Sequence, residues 1–324
     1  MALSTRRSLL MGTAGLAPSR RLAAQEAWPA RPVTIVVPLA PGGASEVLVR
    51  PLAHHLASEF GQPFIIDNRP GAGGTVAHAY VARSRADGQT LLTSTNSTYA
   101  IAPHLYQLTY DPDAAFAPIA LLATTPQVLC IHRSVPTATP ADLIAHLRRH
   151  PGQLAYSSAG IGFTSHLAAE LFLSMSGTSM LHVPYRGGGP AIQAVATNEV
   201  QLNFSDTATA LAIVQTGEVR TVAVTTPQRS PLLPEVPTLS EAALPGYVSA
   251  TDYALMAPAG TPELVLNKLV ATTLGYLNLA ETRAKLAAQG FVPAALTPEA
   301  FREHRALERA KWGDIIRGRG IRVP

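Results

Sequence analysis

A chain of 324 residues, 47% of them hydrophobic and 14% charged, is longer than a single hydrophobic core commonly fills, so two domains are expected. The formal net charge of +4 invites an anionic polymer as partner until the charges are located. Arg6, Arg7, Arg20 and Arg21 lie in the first 24 residues, which hold no acid; setting them aside takes the 25 basic residues to 21, equal to the 21 acidic ones. Nucleic-acid binding, which neutralises phosphates with Lys and Arg, is thereby excluded as the expected function.

In chain order, Thr5-Arg6-Arg7-Ser8-Leu9-Leu10-Met11, an apolar stretch to Ala17 and the small residues Ala23-Ala24 have the sequence of an export signal over 1–24. The paired arginines resemble a twin-arginine signal; the alternative is an unstructured basic N-terminus. At about 10 residues the apolar stretch is half of what spans a bilayer, and no other segment qualifies. Cys130 is the only cysteine, which excludes an internal disulfide and suits a buried thiol.

The β-branched run Val33 to Val37, between Pro32 and Pro38, predicts a strand buried on both faces. A helix follows over 45–60, with Gly61 at its end and Pro51 inside it, where a missing N–H costs about 3 kcal/mol unless the helix kinks. Strands at 64–66 and 90–94, separated by the turn Arg69 to Gly74 and a helix to Ser84, continue the alternation that signals a mostly parallel sheet covered on both faces. A second set runs strand 127–132, helix 140–150, strand 154–157, helix 164–175, strand 180–184, helix 191–197, strand 202–204, helix 208–215 and strand 221–225. A strand at 253–257 leads back to the first domain, and helices over 263–278, 281–289 and 298–317 complete the chain.

Two strand-to-helix turns carry the functional signal. In Pro38-Leu39-Ala40-Pro41-Gly42-Gly43-Ala44-Ser45 the glycines allow close backbone approach, and the first-turn amides of the helix favour a negative group. Ser157-Ser158-Ala159-Gly160-Ile161-Gly162-Phe163-Thr164-Ser165-His166 has the same character. Two such turns facing each other across an interdomain cleft would hold an anion; each is equally readable as an ordinary tight turn. Neither has the spacing of a dinucleotide or P-loop fingerprint, so no cofactor is expected.

The stretches 31–43, 61–74 and His182-Val-Pro-Tyr-Arg-Gly-Gly-Gly-Pro-Ala191, with Ala223 to Pro231 and Pro234-Glu-Val-Pro237, resemble the substrate-binding proteins of tripartite tricarboxylate transporters, the Bug-type family, from Trp28 to the C-terminus. The resemblance implies an α/β, two-lobed, type II periplasmic binding fold: two mostly parallel sheets, helices on both faces and a cleft between lobes. Residues 28–124 and 249–324 would form lobe 1 and residues 125–248 lobe 2. It implies a periplasmic, non-enzymatic monomer that binds a small organic acid and meets membrane transporter subunits. It places Ala40, Gly42, Gly43, Ser158, Ala159, Gly160, Gly162 and Thr164 at the ligand carboxylate, with Asn96 and Asp206 also lining the cleft. Glu46 stands where the family carries an aspartate, and Phe163 where a small hydroxyl residue commonly donates. Loss of that donor and gain of an apolar wall favour a bulkier or aromatic acid.

Other features have blander readings. His146 and His150 are four apart on a helix but lack a third ligand, so they read as solvated surface and no metal site is expected. Arg186 either reaches a ligand carboxylate or is a surface charge, the second being favoured. Ser157 and Ser158 lack the G-x-S-x-G elbow, and His166 reads as a packing or capping residue, so no catalytic residue is assigned. A hydrolase or transferase on a similar fold, or a ligand-loaded sensor partner, are the alternatives.

Overall fold

The computed structural model describes residues 28–39, 41 and 44–323, apart from the side chains of Ala208 and Ala212. The N-terminal segment read as an export signal, and the turn residues Ala40, Gly42 and Gly43, lie outside the described residues. The first half of the chain contains β1 (Val33–Val37), α1 (Ala44–Phe60), β2 (Phe64–Asn68), α2 (Thr75–Ala82), β3 (Thr90–Thr95), α3 (Ala102–Leu105), β4 (Phe116–His132), α4 (Pro140–Arg149) and β5 (Ala155–Ser158). Then follow α5 (Thr164–Ser176), β6 (Leu181–Pro184), α6 (Gly188–Ala196), β7 (Leu202–Asp206), α7 (Thr207–Val214), β8 (Val219–Val224) and α8 (Leu239–Ala242). The last elements are β9 (Ala250–Pro258), α9 (Glu263–Asn278), α10 (Ala280–Ala288), β10 (Val292–Leu296) and α11 (Pro298–Arg319).

The strands run in the order β2-β1-β3-β9-β4-β7-β5-β6, with β8 and β10 also on β4. Strands supplied by β-α units pair in parallel, β1 with β2 and β3, and β5 with β6 and β7. The long strands β4 and β9 pair antiparallel with all their neighbours. Strand β4 belongs to both lobes: Phe116 to Pro126 pairs with β9, and from Gln127 it pairs with β7. Pro126 has no N–H to extend the first ladder, and the change of partner falls beside it. Hydroxyls knit this crossing. Thr225 Oγ1 lies 2.9 Å from both the amide and the carbonyl of Gln127 and 2.6 Å from the Ser249 carbonyl, and Ser249 Oγ donates to Gln127 Oε1 at 2.8 Å.

Period-2 alternation assigns the strand residues to separate cores. Val33 and Ile35 of β1 join α1 and α9, whereas Val36 joins α2 and β3. Val128 and Cys130 of β4 pack toward α6 and β8, whereas Leu129 and Ile131 pack with α4 and α5. Local sequence sets the helix ends. Thr139 and Asp142 form a capping box ahead of α4, Thr297 caps α11 before Pro298, and Gly177 ends α5 in the left-handed conformation. Pro51 leaves α1 unbroken because both it and Val47, whose carbonyl loses its donor, face solvent. Helix α11 packs on Tyr99 through Phe301, with ring centroids 5.4 Å apart, buries Trp312 and reaches α5, where Arg319 Nε donates to Glu170 Oε2 at 2.6 Å.

Candidate functional site

A cavity of about 880 Å³ lies between the lobes at the C-terminal ends of the parallel strands, the position at which open α/β sheets place ligands. Lobe 1 contributes Leu39, Ser45 at the start of α1, the turn Pro70 to Gly74 after β2, Thr95 at the end of β3 and Ser97 just after it. Lobe 2 contributes Ala159, Gly160, Phe163, the turn Pro184 to Gly188 after β6, and Ser205 and Asp206 at the end of β7.

The floor is a chain of hydroxyls crossing between lobes. Thr251 Oγ1 on β9 donates to Asp206 Oδ1 at 3.1 Å and lies 2.8 Å from Thr164 Oγ1, and the Thr164 amide donates to Ser97 Oγ at 3.2 Å. Ser97 opens a π-helical turn, Ser97–Ile101, a distortion frequent at functional sites. Burial pushes the Asp206 carboxyl up to about 6, offset in part by the Thr251 hydrogen bond. Two further hydroxyls are in a different state. Ser45 Oγ and Ser205 Oγ have no hydrogen-bond partner among the described residues, although their residues are only 2% and 4% exposed, and both residues line the cavity.

Of the residues singled out from sequence, Ala159, Gly160, Phe163, Thr164 and Asp206 meet at this cavity. Glu46 is buried in α1 and paired with Arg50. Asn96 is fully buried behind the wall, where its amide donates to the Ala250 carbonyl at 2.8 Å and its oxygen accepts from the Asp252 amide at 3.2 Å. Gly162 abuts Leu105 of lobe 1, whose Cδ1 lies 2.7 Å from where a Cβ would stand. Ser158 is buried beneath the turn, its Oγ 2.7 Å from His182 Nε2. Arg186, favoured from sequence as a surface charge, is exposed and also lines the cavity from the β6 turn, the only Lys or Arg among the described lining residues.

The turn after β5 uses its own side chains to occupy its amides. Ala159 N–H donates to Ser165 Oγ at 3.0 Å, Gly160 N–H to Ser158 Oγ at 3.2 Å and Gly162 N–H to His166 Nδ1 at 3.2 Å. Burial lowers His166 to about 3 and His182 to about 4, so both imidazoles are neutral, and they stack with centroids 4.1 Å apart. An accepting Nδ1 on a neutral ring puts the His166 proton on Nε2, 4.0 Å from Glu170 Oε1. The sequence reading offers these three amides to a ligand; the structure engages them internally, while the Ser45 and Ser205 hydroxyls are buried without a partner among the described residues. Neither serine was identified from sequence. The only signal for Ser45 is its place one residue after Gly43-Ala44, and Ser205 has none beyond its position at a strand end.

Two α/β lobes, joined by long shared strands and enclosing a polar-floored cavity, define a solute receptor. The sequence matches the tripartite tricarboxylate transporter family receptor (TctC) over residues 48–321, and the chain belongs to that family. It is 32% identical over 324 residues to Protein BugT of Bordetella pertussis, with 97% of this chain and 96% of BugT covered. Among solved structures, R. palustris Rpa4515 with adipate matches with a TM-score of 0.85 at 36% identity, covering 91% of this chain and 100% of that one. MatC from Rhodopseudomonas palustris with bound malate matches with a TM-score of 0.79 at 32% identity, covering 89% and 100%.

Proposed function

We propose that this chain is a periplasmic receptor that captures a small organic acid between its lobes and presents the closed form to membrane subunits of a tripartite tricarboxylate-type transporter. The observation that carries the reading is the pair of buried, unpartnered hydroxyls, Ser45 and Ser205, one from each lobe and both on one cavity. A buried hydroxyl left unpaired costs about 1–3 kcal/mol, which a ligand acceptor relieves. A carboxylate taken up between the lobes is the acceptor we assign to these hydroxyls, and Arg186 adds attraction for an anion. Adipate in R. palustris Rpa4515 and malate in MatC fit the same chemistry. Ligand contacts to both lobes stabilise the closed arrangement by differential affinity. The change of partner along β4 at Gln127 and the start of β9 at Ala250 support hinge points between lobes of residues 28–124 with 249–324 and residues 125–248.

The protein acts without catalysis. Ser158, the serine paired with a histidine, is buried away from the cavity. It works as a monomer, exported on a twin-arginine signal. A thermal-shift screen over carboxylic acids tests the central reading: a ligand at about 100 times its Kd adds about 2.7 kcal/mol of stability. Ser45→Ala and Ser205→Ala should each weaken the response, and an unchanged melting temperature with every acid, or full binding by both variants, overturns it.

A further inference from the structure

The geometry points to a ligand whose carboxylate is carried on an aromatic ring; this rests on the carboxylate reading above and specifies the body of the molecule. Each lobe presents an aromatic side chain packed directly on a glycine of the cavity wall. In lobe 1, a Cβ added to Gly73 would lie 3.1 Å from Tyr106 Cε2 and 3.2 Å from its hydroxyl oxygen. In lobe 2, a Cβ added to Gly160 would lie 3.1 Å from Phe163 Cδ2 and 3.2 Å from Cε2. All four residues line the cavity. Both glycines have positive φ, 63° and 140°, a region side-chain-bearing residues rarely adopt. The backbone thus holds each ring where any larger residue would displace it.

The two ring-on-glycine pairs belong to one wall system. Gly162, next to Phe163, abuts Leu105, next to Tyr106. Leu39, Pro70 and Ile161 add apolar surface to the same cavity wall. Rings fixed in this way are rigid walls that cost little entropy to use. They reward a flat partner with offset or edge-to-face contact beyond the area it buries, whereas a saturated body gains the area alone. The polar groups, Ser45, Ser205 and Arg186, supply the other half of the match, an anionic head.

The test is isothermal titration of the full chain with benzoate, cyclohexanecarboxylate and adipate. Benzoate and cyclohexanecarboxylate share charge and ring size and differ in aromaticity, so benzoate should bind about tenfold more tightly. Phe163→Leu keeps an apolar wall and removes the ring, and should bring the ratio of the two affinities toward one; Tyr106→Leu should do the same from the other lobe. Circular dichroism shows whether either variant is folded, and the wild-type ratio stands on its own if one is not. Equal or tighter binding of cyclohexanecarboxylate, or adipate binding with no response to benzoate, overturns the aromatic inference and leaves the carboxylate reading intact. Failure of all three acids to bind overturns both.

Discussion

Asp206 offers a quantitative test of how the cavity is built. Its carboxyl is enclosed at the end of β7, with Thr251 Oγ1 donating at 3.1 Å, and burial raises it from 3.8 to about 6. A shift of about 2 pH units corresponds to about 3 kcal/mol between the charged and neutral forms. Because the folded-state value is the higher one, the associated stability is complete below about 3.8 and is lost as pH rises through about 6. Asp206→Asn mimics the protonated acid and keeps an acceptor for Thr251. Near pH 8 the variant should therefore be more stable than the parent by up to about 3 kcal/mol, or about 5 °C in Tm for a chain of this length. Near pH 4 the two should melt within about 1 °C of each other. Differential scanning calorimetry on both proteins across this range is the assay. The difference between them isolates Asp206 from the buried imidazoles His78, His166 and His182, which burial lowers to about 4, 3 and 4 and which therefore lose stability as pH falls below 6.5. A pH-independent gap, or a parent more stable than the variant near pH 8, would show that Asp206 is held ionised and would refute the reasoning. A bound carboxylate should raise Asp206 further, so binding near neutral pH should take up protons, which titrations in buffers of different ionisation enthalpy detect.

Gly74→Ala places a Cβ 2.3 Å from Thr98 Cγ2 and 3.1 Å from Pro38 Cβ at φ 91°, and should lower stability by more than about 2 kcal/mol in chemical denaturation. Gly162→Ala puts a Cβ 2.7 Å from Leu105 Cδ1 across the lobe contact at φ 80°, and should lower ligand affinity about tenfold or more, read by calorimetric titration. Asn96→Ala removes the hydrogen bonds to Ala250 and Asp252 and one to Glu308 at 3.2 Å; leaving those buried groups unpaired should cost about 2–3 kcal/mol, measured by urea unfolding. Cys130 is fully buried and its thiol is pushed up to about 12, so a thiol reagent should label the folded protein no faster than global unfolding exposes it.

Much of the alternation of strands and helices was legible because β-branched runs and glycine or proline punctuation mark it. Helix α9 falls on the residues expected, 263–278. The first half of β4 was not legible, because Pro118 and Pro126 and an alanine-rich run argue against a strand. The structure accommodates them with register shifts at Pro118/Ala120 and Leu121/Ala123 and by changing partners beside Pro126. Strand β10 was equally hidden: it contains Pro293 and a positive-φ Ala295 and survives as an irregular edge on β4. At the site, sequence located the turns but not which of their groups remain free. Hydrogen bonding within the turn, as from Gly162 to His166, depends on side-chain conformations that the glycine pattern does not encode.

The positions that sequence assigned to the ligand and the structure set behind the wall are informative about mechanism. Asn96 ties the end of β3 to Ala250 and Asp252 as β9 enters lobe 1. Asp252 Oδ2 in turn accepts from Tyr99 and pairs with His304 at 2.7 Å, while Glu308 Oε2 accepts from Trp312 at 2.7 Å and from Asn96. Strand β9, the π-helical turn and α11 are therefore one hydrogen-bonded block immediately beside the crossing strands. The spans about Pro126 and Ser249 lie beside this block, and there the Thr225 and Ser249 hydroxyls tie the crossing strands together. Ser97 sits at the edge of this block and accepts the Thr164 amide from lobe 2. The first residue of α5 is thus bonded directly to the turn that carries Ser97, so this hydrogen bond links the two sides of the cavity floor.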